Sequence, residues 1–345
     1  MRLILWALRI VGLALYTTRL HWIAIWLRRR SPTVLLYHAC EPDDAAFLVS
    51  QHLSITPEAF ARQLDFLCAN YRIVDLATLE SGVMPERALA VTFDDGLRSI
   101  RTRLLPALQE RAVPARVYLV TSVLNNAGLI WMHELAWALR AHSSVSRVRA
   151  AAALGVPADA PLGAFVARAR DVSTPSQVEG LLAELRAAAG YTPDAVAREA
   201  QLYLTDEDVK ALMAVGATFG NHTVSHQDLT RLDAETCARE IREAAARLAS
   251  VPGAVPSLAY PFGRRNEGVR ALALSLGLRS LAEVGGSNAA FDRTRIARVS
   301  VAHQSVPELF AQMAVVEPVK AWLLRVKRRC AATSQGARVG RWWGG

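Results

Sequence analysis

Two short strings in this 345-residue chain bring together side chains capable of hydrolytic chemistry. In Leu89-Ala90-Val91-Thr92-Phe93-Asp94-Asp95-Gly96 an apolar run ends in adjacent carboxylates and a glycine. Taken alone, Asp-Asp-Gly is a common turn or helix cap. In Asn221-His222-Thr223-Val224-Ser225-His226 two histidines stand four apart, so one backbone turn lets both imidazoles face one point. Taken alone, such a pair is also met by chance on surfaces. Together the strings supply two imidazoles and a carboxylate, a set suited to a divalent cation with open positions for water and a substrate oxygen. The second carboxylate is then placed to act as a base, because neighbouring residues of an extended backbone point in different directions.

Two further strand ends add candidates. Val34-Leu35-Leu36-Tyr37-His38 puts a histidine just past an apolar run, either as a site group or as a core histidine. Leu258-Ala259-Tyr260-Pro261-Phe262-Gly263 puts a Pro-aromatic-Gly turn past another, either a plain turn or a source of backbone N–H groups for an oxyanion.

These motifs need strands to carry them, and the pattern supplies them. Runs rich in β-formers occur at Val34–Tyr37, Leu89–Phe93, Arg116–Val120, Ala217–Gly220, Ser257–Tyr260, Leu278–Val284 and Arg295–Val301, with amphipathic stretches between most of them. One such stretch runs from Asp233, a candidate N-cap, to Ser250. Strands alternating with helices predict an α/β fold with a parallel sheet or barrel, whose chemistry sits past the strand ends. Residues 130–200 break the rhythm: they are Ala-rich and helical in pattern, and read as an insertion between two βα units.

The chain resembles the NodB-type polysaccharide deacetylases (carbohydrate esterase family 4) from about Pro32 to Val301. Thr92-Phe93-Asp94-Asp95-Gly96 matches that family's first motif, His222-Thr223-Val224-Ser225-His226 its second, and Tyr260-Pro261-Phe262-Gly263 looks like a variant of the third. The resemblance implies a distorted (β/α)7 barrel, here with the helical insertion and amphipathic terminal helices. It implies Asp94 as general base and Asp95, His222 and His226 as ligands of a divalent metal, usually zinc, with nickel, cobalt, iron or manganese as alternatives. It also implies that the Phe262 N–H supports the oxyanion and that a histidine protonates the leaving amine. The third motif normally carries an arginine that orients the base; Ala259 stands near that position, and Arg298 is the candidate substitute, a surface arginine being the other reading. The late Leu-x-His-Asp motif is missing, and Tyr37-His38 resembles a branch that supplies the acid near the N-terminus, which favours His38 over His303.

Composition bounds the setting. Net charge is +9, with apolar residues at 52%. The basic residues gather at hydrophobic ends rather than on an aromatic-interleaved patch, so no nucleic-acid partner is expected. The cysteines Cys40, Cys68, Cys237 and Cys330 show no paired spacing, so neither a disulfide framework nor a cysteine zinc site is expected.

Residues 1–30 form an apolar segment with Trp6, Trp22 and Trp26, interrupted by Arg9 and Arg19 and closed by Arg28, Arg29 and Arg30. A central arginine costs about 2.5–3.5 kcal/mol in a span, and no small-residue cleavage site follows. An interfacial or membrane-anchoring helix is therefore expected, with ordinary packing on the domain as the alternative. Residues 31–310 are expected to form the barrel. Residues 311–345 form a basic tail with Trp322, Trp342 and Trp343. The positive-inside tendency favours the cytoplasmic face of the inner membrane over the periplasmic one.

The expected activity is removal of an N-acyl group, N-acetyl above all, from an amino sugar of a bacterial cell-envelope glycan or a lipid-linked saccharide. The alternative is an inactive, membrane-attached glycan-binding or scaffold protein on the same fold.

Overall fold

The computed structural model describes residues 2–40, 46–48, 53–301 and 305–327. Seven parallel strands form the centre: β1 (Thr33–Tyr37), β2 (Ala88–Phe93), β3 (Ala115–Leu119), β4 (Thr218–Asn221), β5 (Ala254–Ala259), β6 (Ser280–Val284) and β7 (Ile296–Ser300). Each pairs with the next in the chain, and β1 closes the ring by pairing with both β2 and β7. The architecture is thus the seven-stranded α/β barrel expected. The closing seam is uneven, with five residue pairs between β1 and β2 but only two, Leu35 with Val299 and Leu36 with Ser300, between β1 and β7. A two-residue strand, Arg72–Ile73, adds to the outer edge of β2, and Ala39–Cys40 pairs with Ser54–Ile55 in a separate small sheet. None of these short pieces was expected from the sequence, because two residues carry no readable period.

Strands β1, β2 and β3 are buried along their whole length, as expected of a parallel sheet covered on both faces. One face of each strand meets the helices: Leu35, Tyr37, Leu89, Val91, Phe93, Val117 and Phe219 join the helix-facing core. The other face fills the barrel with Val34, Ala88, Ala90, Tyr118, Ala259, Ala282 and Ile296. Many of these inward residues are small, which leaves room for Tyr118 and for the buried guanidinium of Arg298.

Gly220 on β4 belongs to this arrangement. A Cβ built there would lie 2.5 Å from two Tyr118 ring carbons, so only glycine lets the backbone pass the ring. The β4–β5 register shifts between Phe219 and Asn221, and this irregularity re-aims the chain just before His222.

Between β3 and β4 the chain forms helices Trp131–Ala141, Ser143–Leu154, Leu162–Val172, Pro175–Ala189 and Pro193–Ala200. They have their own apolar core, including Leu135, Leu139, Phe165, Leu182 and Tyr203. Helix Ala234–Leu248 begins at Asp233, whose carboxylate accepts the Thr236 N–H at 2.8 Å. Helix Arg2–Thr17 lies on the segment Val306–Val316, where Gly12 passes so close to Ala311 that a Cβ would stand 2.5 Å from that methyl. The chain then bends by 113° into His21–Leu27. His303, Arg328, Arg329, Cys330, Trp342 and Trp343 lie outside the described residues.

Gly220→Ala is expected to lower stability by about 1–3 kcal/mol, the usual cost of overpacking a rigid interior. Urea unfolding followed by circular dichroism measures it, and unchanged stability would mean that Tyr118 moves without resistance.

Candidate metal and catalytic centre

All the candidate groups except Arg298, which reaches up from within β7, come from the C-terminal ends of strands. Asp94 and Asp95 follow β2. Asp95 has φ of 69° and starts the turn with Gly96, so the two carboxylates leave the strand in different directions. Both are buried. Asp94 is gripped by Arg298: Nη1 donates to Oδ1 at 2.6 Å and Nη2 to Oδ2 at 2.8 Å. Arg298 is fully buried, its guanidinium 5.1 Å from the centre of the Tyr118 ring, and is not the surface arginine of the alternative reading.

The loop after β4 is shaped by its own side chains. Asn221 Oδ1 accepts the Thr223 N–H at 2.7 Å, and Thr223 Oγ1 accepts the His226 N–H at 3.0 Å. Glu240, from helix Ala234–Leu248, accepts the N–H groups of Val224 and Ser225 at 3.0 and 2.9 Å. These bonds hold Thr223 and His226 in left-handed backbone conformations (φ of 69° and 58°) that few non-glycine residues adopt. His222 Nδ1 donates to the Ala259 carbonyl at 2.8 Å, which leaves the Nε2 lone pair directed inward.

The outcome is a compact donor set. Asp95 Oδ1 lies 3.6 Å from His222 Nε2 and 3.5 Å from His226 Nε2. Two ligands bound at about 2.1 Å to one tetrahedral centre stand roughly 3.4 Å apart, so this spacing fits a shared cation. Asp95 Oδ1 is also buried without a hydrogen-bond partner, a costly state that a cation would relieve. Among the described residues this is the one group of three whose ligand atoms converge in this way.

Electrostatics separate the two carboxylates. Burial alone would raise the Asp94 pKa, but the Arg298 charge and its hydrogen bonds, with help from His222, bring it down to about 2. For Asp95 burial dominates and the Asp94 charge adds to it, pushing the carboxyl up to about 8 where no cation opposes them. Burial lowers both His222 and His226, as befits imidazoles that must stay neutral to ligate.

His38 sits half-buried past β1, close enough to feel the charges of Asp94, Arg298 and His222, and burial lowers it to about 4. The third turn contributes in part. Tyr260 sends its side chain into the outer core with Leu258 and Val269, away from the carboxylates. Pro261 is buried, and Gly263 lets the turn lie against Val284, where a Cβ would come within 2.6 Å. Phe262, at φ of 58°, packs its ring 4.7 Å from that of His226. The turn is closed by the N–H groups of Gly263 and Arg264, so it does not use the Phe262 N–H.

Three neighbours of the site were missed in the sequence. Trp131, His133 and Tyr203 all come from the stretch between β3 and β4. Trp131 Nε1 donates to the His226 carbonyl at 3.2 Å, and His133 Nε2 lies 4.0 Å from Asp95 Oδ2. The signal available was a Trp-Met-His-Glu string inside an otherwise Ala-rich segment.

A family model described as polysaccharide deacetylase matches residues 81–281, more than half of the chain. Among curated proteins none matches the sequence. Solved structures with a similar fold include the Streptococcus pyogenes deacetylase PplD in complex with acetate, at 18% identity and a TM-score of 0.53, covering 82% of this chain and 98% of that one. IcaB from Ammonifex degensii is similar at 18% identity and a TM-score of 0.53, covering 83% of this chain and 98% of that one. BC0361, a polysaccharide deacetylase from Bacillus cereus, has 15% identity and a TM-score of 0.53, covering 82% of this chain and 69% of that one. At such identities the likeness speaks for the fold.

Removing one partner of a buried ion pair leaves the other charge uncompensated, so Arg298→Met is expected to cost about 3–5 kcal/mol. Adding Asp94→Asn should return much of that loss. Urea unfolding at neutral pH checks both. Because the Asp94 pKa is depressed on folding, the pair's contribution is complete above its ordinary value of 3.8 and is lost as pH falls through about 2.

Proposed function

The chain belongs to the polysaccharide deacetylase family, metal-dependent N-deacetylases, and on that premise we propose that it removes the acetyl group from an N-acetylated amino sugar. In this reading Asp94 is the general base, Asp95, His222 and His226 hold a divalent cation, and His38 is the general acid. One observation carries the assignment: adjacent carboxylates in opposite states. Asp94 has both oxygens on a guanidinium, while Asp95 keeps a bare oxygen between two imidazoles. Zn2+ suits three N/O ligands with one open position best.

Asp94 Oδ2 lies 3.7 Å from His222 Nε2, so the base stands next to the ligand atoms. A carboxyl near pKa 2 is ionised throughout the neutral range and is a weak base. Acidifying water and polarising the amide carbonyl is the chemistry that a bound cation would supply. Arg298 keeps Asp94 ionised and fixes its plane, leaving the outer lone pairs to accept the proton of the attacking water.

In this reading the Phe262 N–H, which the turn's own hydrogen bonds do not use, supports the oxyanion. His38 enters neutral and passes on the proton that Asp94 has taken, because an amide nitrogen leaves only as an amine.

We further propose that the substrate is a cell-envelope glycan or a lipid-linked saccharide met at a membrane surface, with the cytoplasmic face favoured by Arg28, Arg29 and Arg30. Supporting this, helices Arg2–Thr17 and His21–Leu27 bury Leu8, Leu15, Tyr16 and Ala24 against the core while Leu3, Trp6, Trp22, Trp26 and Leu27 remain exposed. Among the described residues no single helix is long and apolar enough to cross a membrane, and one bent pair, Leu3–Thr17 with His21–Leu27, passes that test of length and composition jointly.

Metal content and free-amine release, from N-acetylated chito-oligosaccharides and from a membrane extract, test the chemistry. Asp94→Asn should keep the metal and lose about 10²–10⁴-fold in rate, whereas His222→Ala should lose the metal. A wild type that is metal-free and inert on every substrate sinks the reading. Separately, replacing Trp6, Trp22 and Trp26 with Glu should abolish co-sedimentation with vesicles of mixed anionic and zwitterionic lipid while leaving hydrolysis of soluble oligosaccharide unchanged. Equal vesicle binding by the variant would count against the membrane assignment.

A further inference from the structure

Asp95 carries two oxygens, and the histidines of the triad face only one. Oδ1 is the atom set between His222 Nε2 and His226 Nε2. Oδ2 looks toward a third imidazole, that of His133, whose Nε2 stands 4.0 Å away. A carboxylate free to turn about its Cβ–Cγ bond offers a cation either oxygen or both. Ligand sets of this kind are therefore fixed by outer partners that hold each ligand in orientation.

His133 is built to be such a partner. It lies in the first turn of helix Trp131–Ala141 and is 1% exposed. Its Nδ1 is 2.9 Å from the Tyr203 hydroxyl, which also accepts the Ile130 N–H at 3.0 Å. Tyr203 is clasped in turn by Asn126, whose Oδ1 accepts the Tyr203 N–H at 2.8 Å and whose Nδ2 donates to the Tyr203 carbonyl at 3.3 Å. The next residue on the helix, Glu134, is equally fixed: Arg186 donates to it at 2.7 and 2.8 Å and the Tyr191 hydroxyl at 3.0 Å. The helix therefore cannot rotate His133 away from Asp95 without breaking the half-buried Glu134–Arg186 ion pair.

We propose that His133 is a positioning residue for the metal carboxylate. The Tyr203 hydroxyl donates to Nδ1, which places the ring proton on Nε2, and that N–H bears on Asp95 Oδ2 so that Oδ1 alone is given to the cation. At 4.0 Å the contact is longer than a hydrogen bond, and a small turn of the carboxylate closes it. The inference rests on the metal reading above and extends it to a residue outside the three motifs.

Zn2+ affinity of the full chain, measured by competition with a chromophoric chelator, tests it, together with the visible spectrum of the Co2+ form. His133→Ala is expected to weaken Zn2+ binding about 10–100-fold and to change the Co2+ bands as Asp95 turns. His133→Gln, whose amide N–H replaces Nε2–H, should recover most of both. Tyr203→Phe should fall between wild type and His133→Ala. Wild-type affinity in a folded His133→Ala protein overturns the proposal. If the alanine variant fails to fold, a glutamine variant with the wild-type fold but weakened binding and altered bands overturns it instead. A wild type that takes up no divalent cation removes the metal reading itself, and this inference with it.

Discussion

Asp94 and Arg298 meet inside a closed barrel, reaching past β1 from strands that do not pair with each other. Two charges so placed forfeit their hydration, and that cost is offset only by close, doubly hydrogen-bonded contact. Much of the surrounding architecture follows from this need. Inward positions on neighbouring strands are small, Thr92 Oγ1 accepts a further N–H from Arg298 at 3.3 Å, and the Tyr118 ring lies against the guanidinium. Tyr118 is steadied in turn by Ser257, oxygen to oxygen at 2.9 Å, and by the missing side chain at Gly220. An anion held this firmly also shapes its neighbour, since the Asp94 charge helps keep Asp95 avid for a proton or a cation.

What could be read from the sequence divides along a physical line. The strand ends carrying Asp94, Asp95, His222 and His226 were legible because each motif is a contiguous string fixed by one strand and one turn. The seven strands were legible because their apolar runs are set off by amphipathic stretches. Arg298 was reached only as an alternative, since nothing local distinguishes a buried arginine on a strand from an exposed one. His133 was not reached at all. Its partners, Asp95 and Tyr203, are distant in sequence, and its own surroundings read only as part of an Ala-rich helical insertion. The left-handed turns at Thr223 and His226 were equally hidden, because side-chain hydrogen bonds from Asn221, Thr223 and Glu240 impose them where no glycine announces them.

The stretch between β3 and β4 is more than an attachment to the barrel. Its apolar core is continuous with Ala39, Leu97 and Val120 of the barrel loops, Trp131 reaches the carbonyl of His226, and its ring packs 6.1 Å from that of Phe262. Asp171, at the end of helix Leu162–Val172, pairs with Arg264 at 2.7 Å just past the third turn. The walls around the candidate centre are therefore set jointly by the barrel loops and by this helical unit.

The order of strands around the ring has a consequence for the chain as it is being made. Asp94, Asp95, His222 and His226 all emerge from the ribosome before Arg298, and β7 is the strand that closes the barrel against β1. Until that closure the Asp94 carboxylate has no counter-charge and stands open to water. Pairing of Asp94 with Arg298 is thus tied to closure of the ring, and a chain cut before β7 lacks that counter-charge.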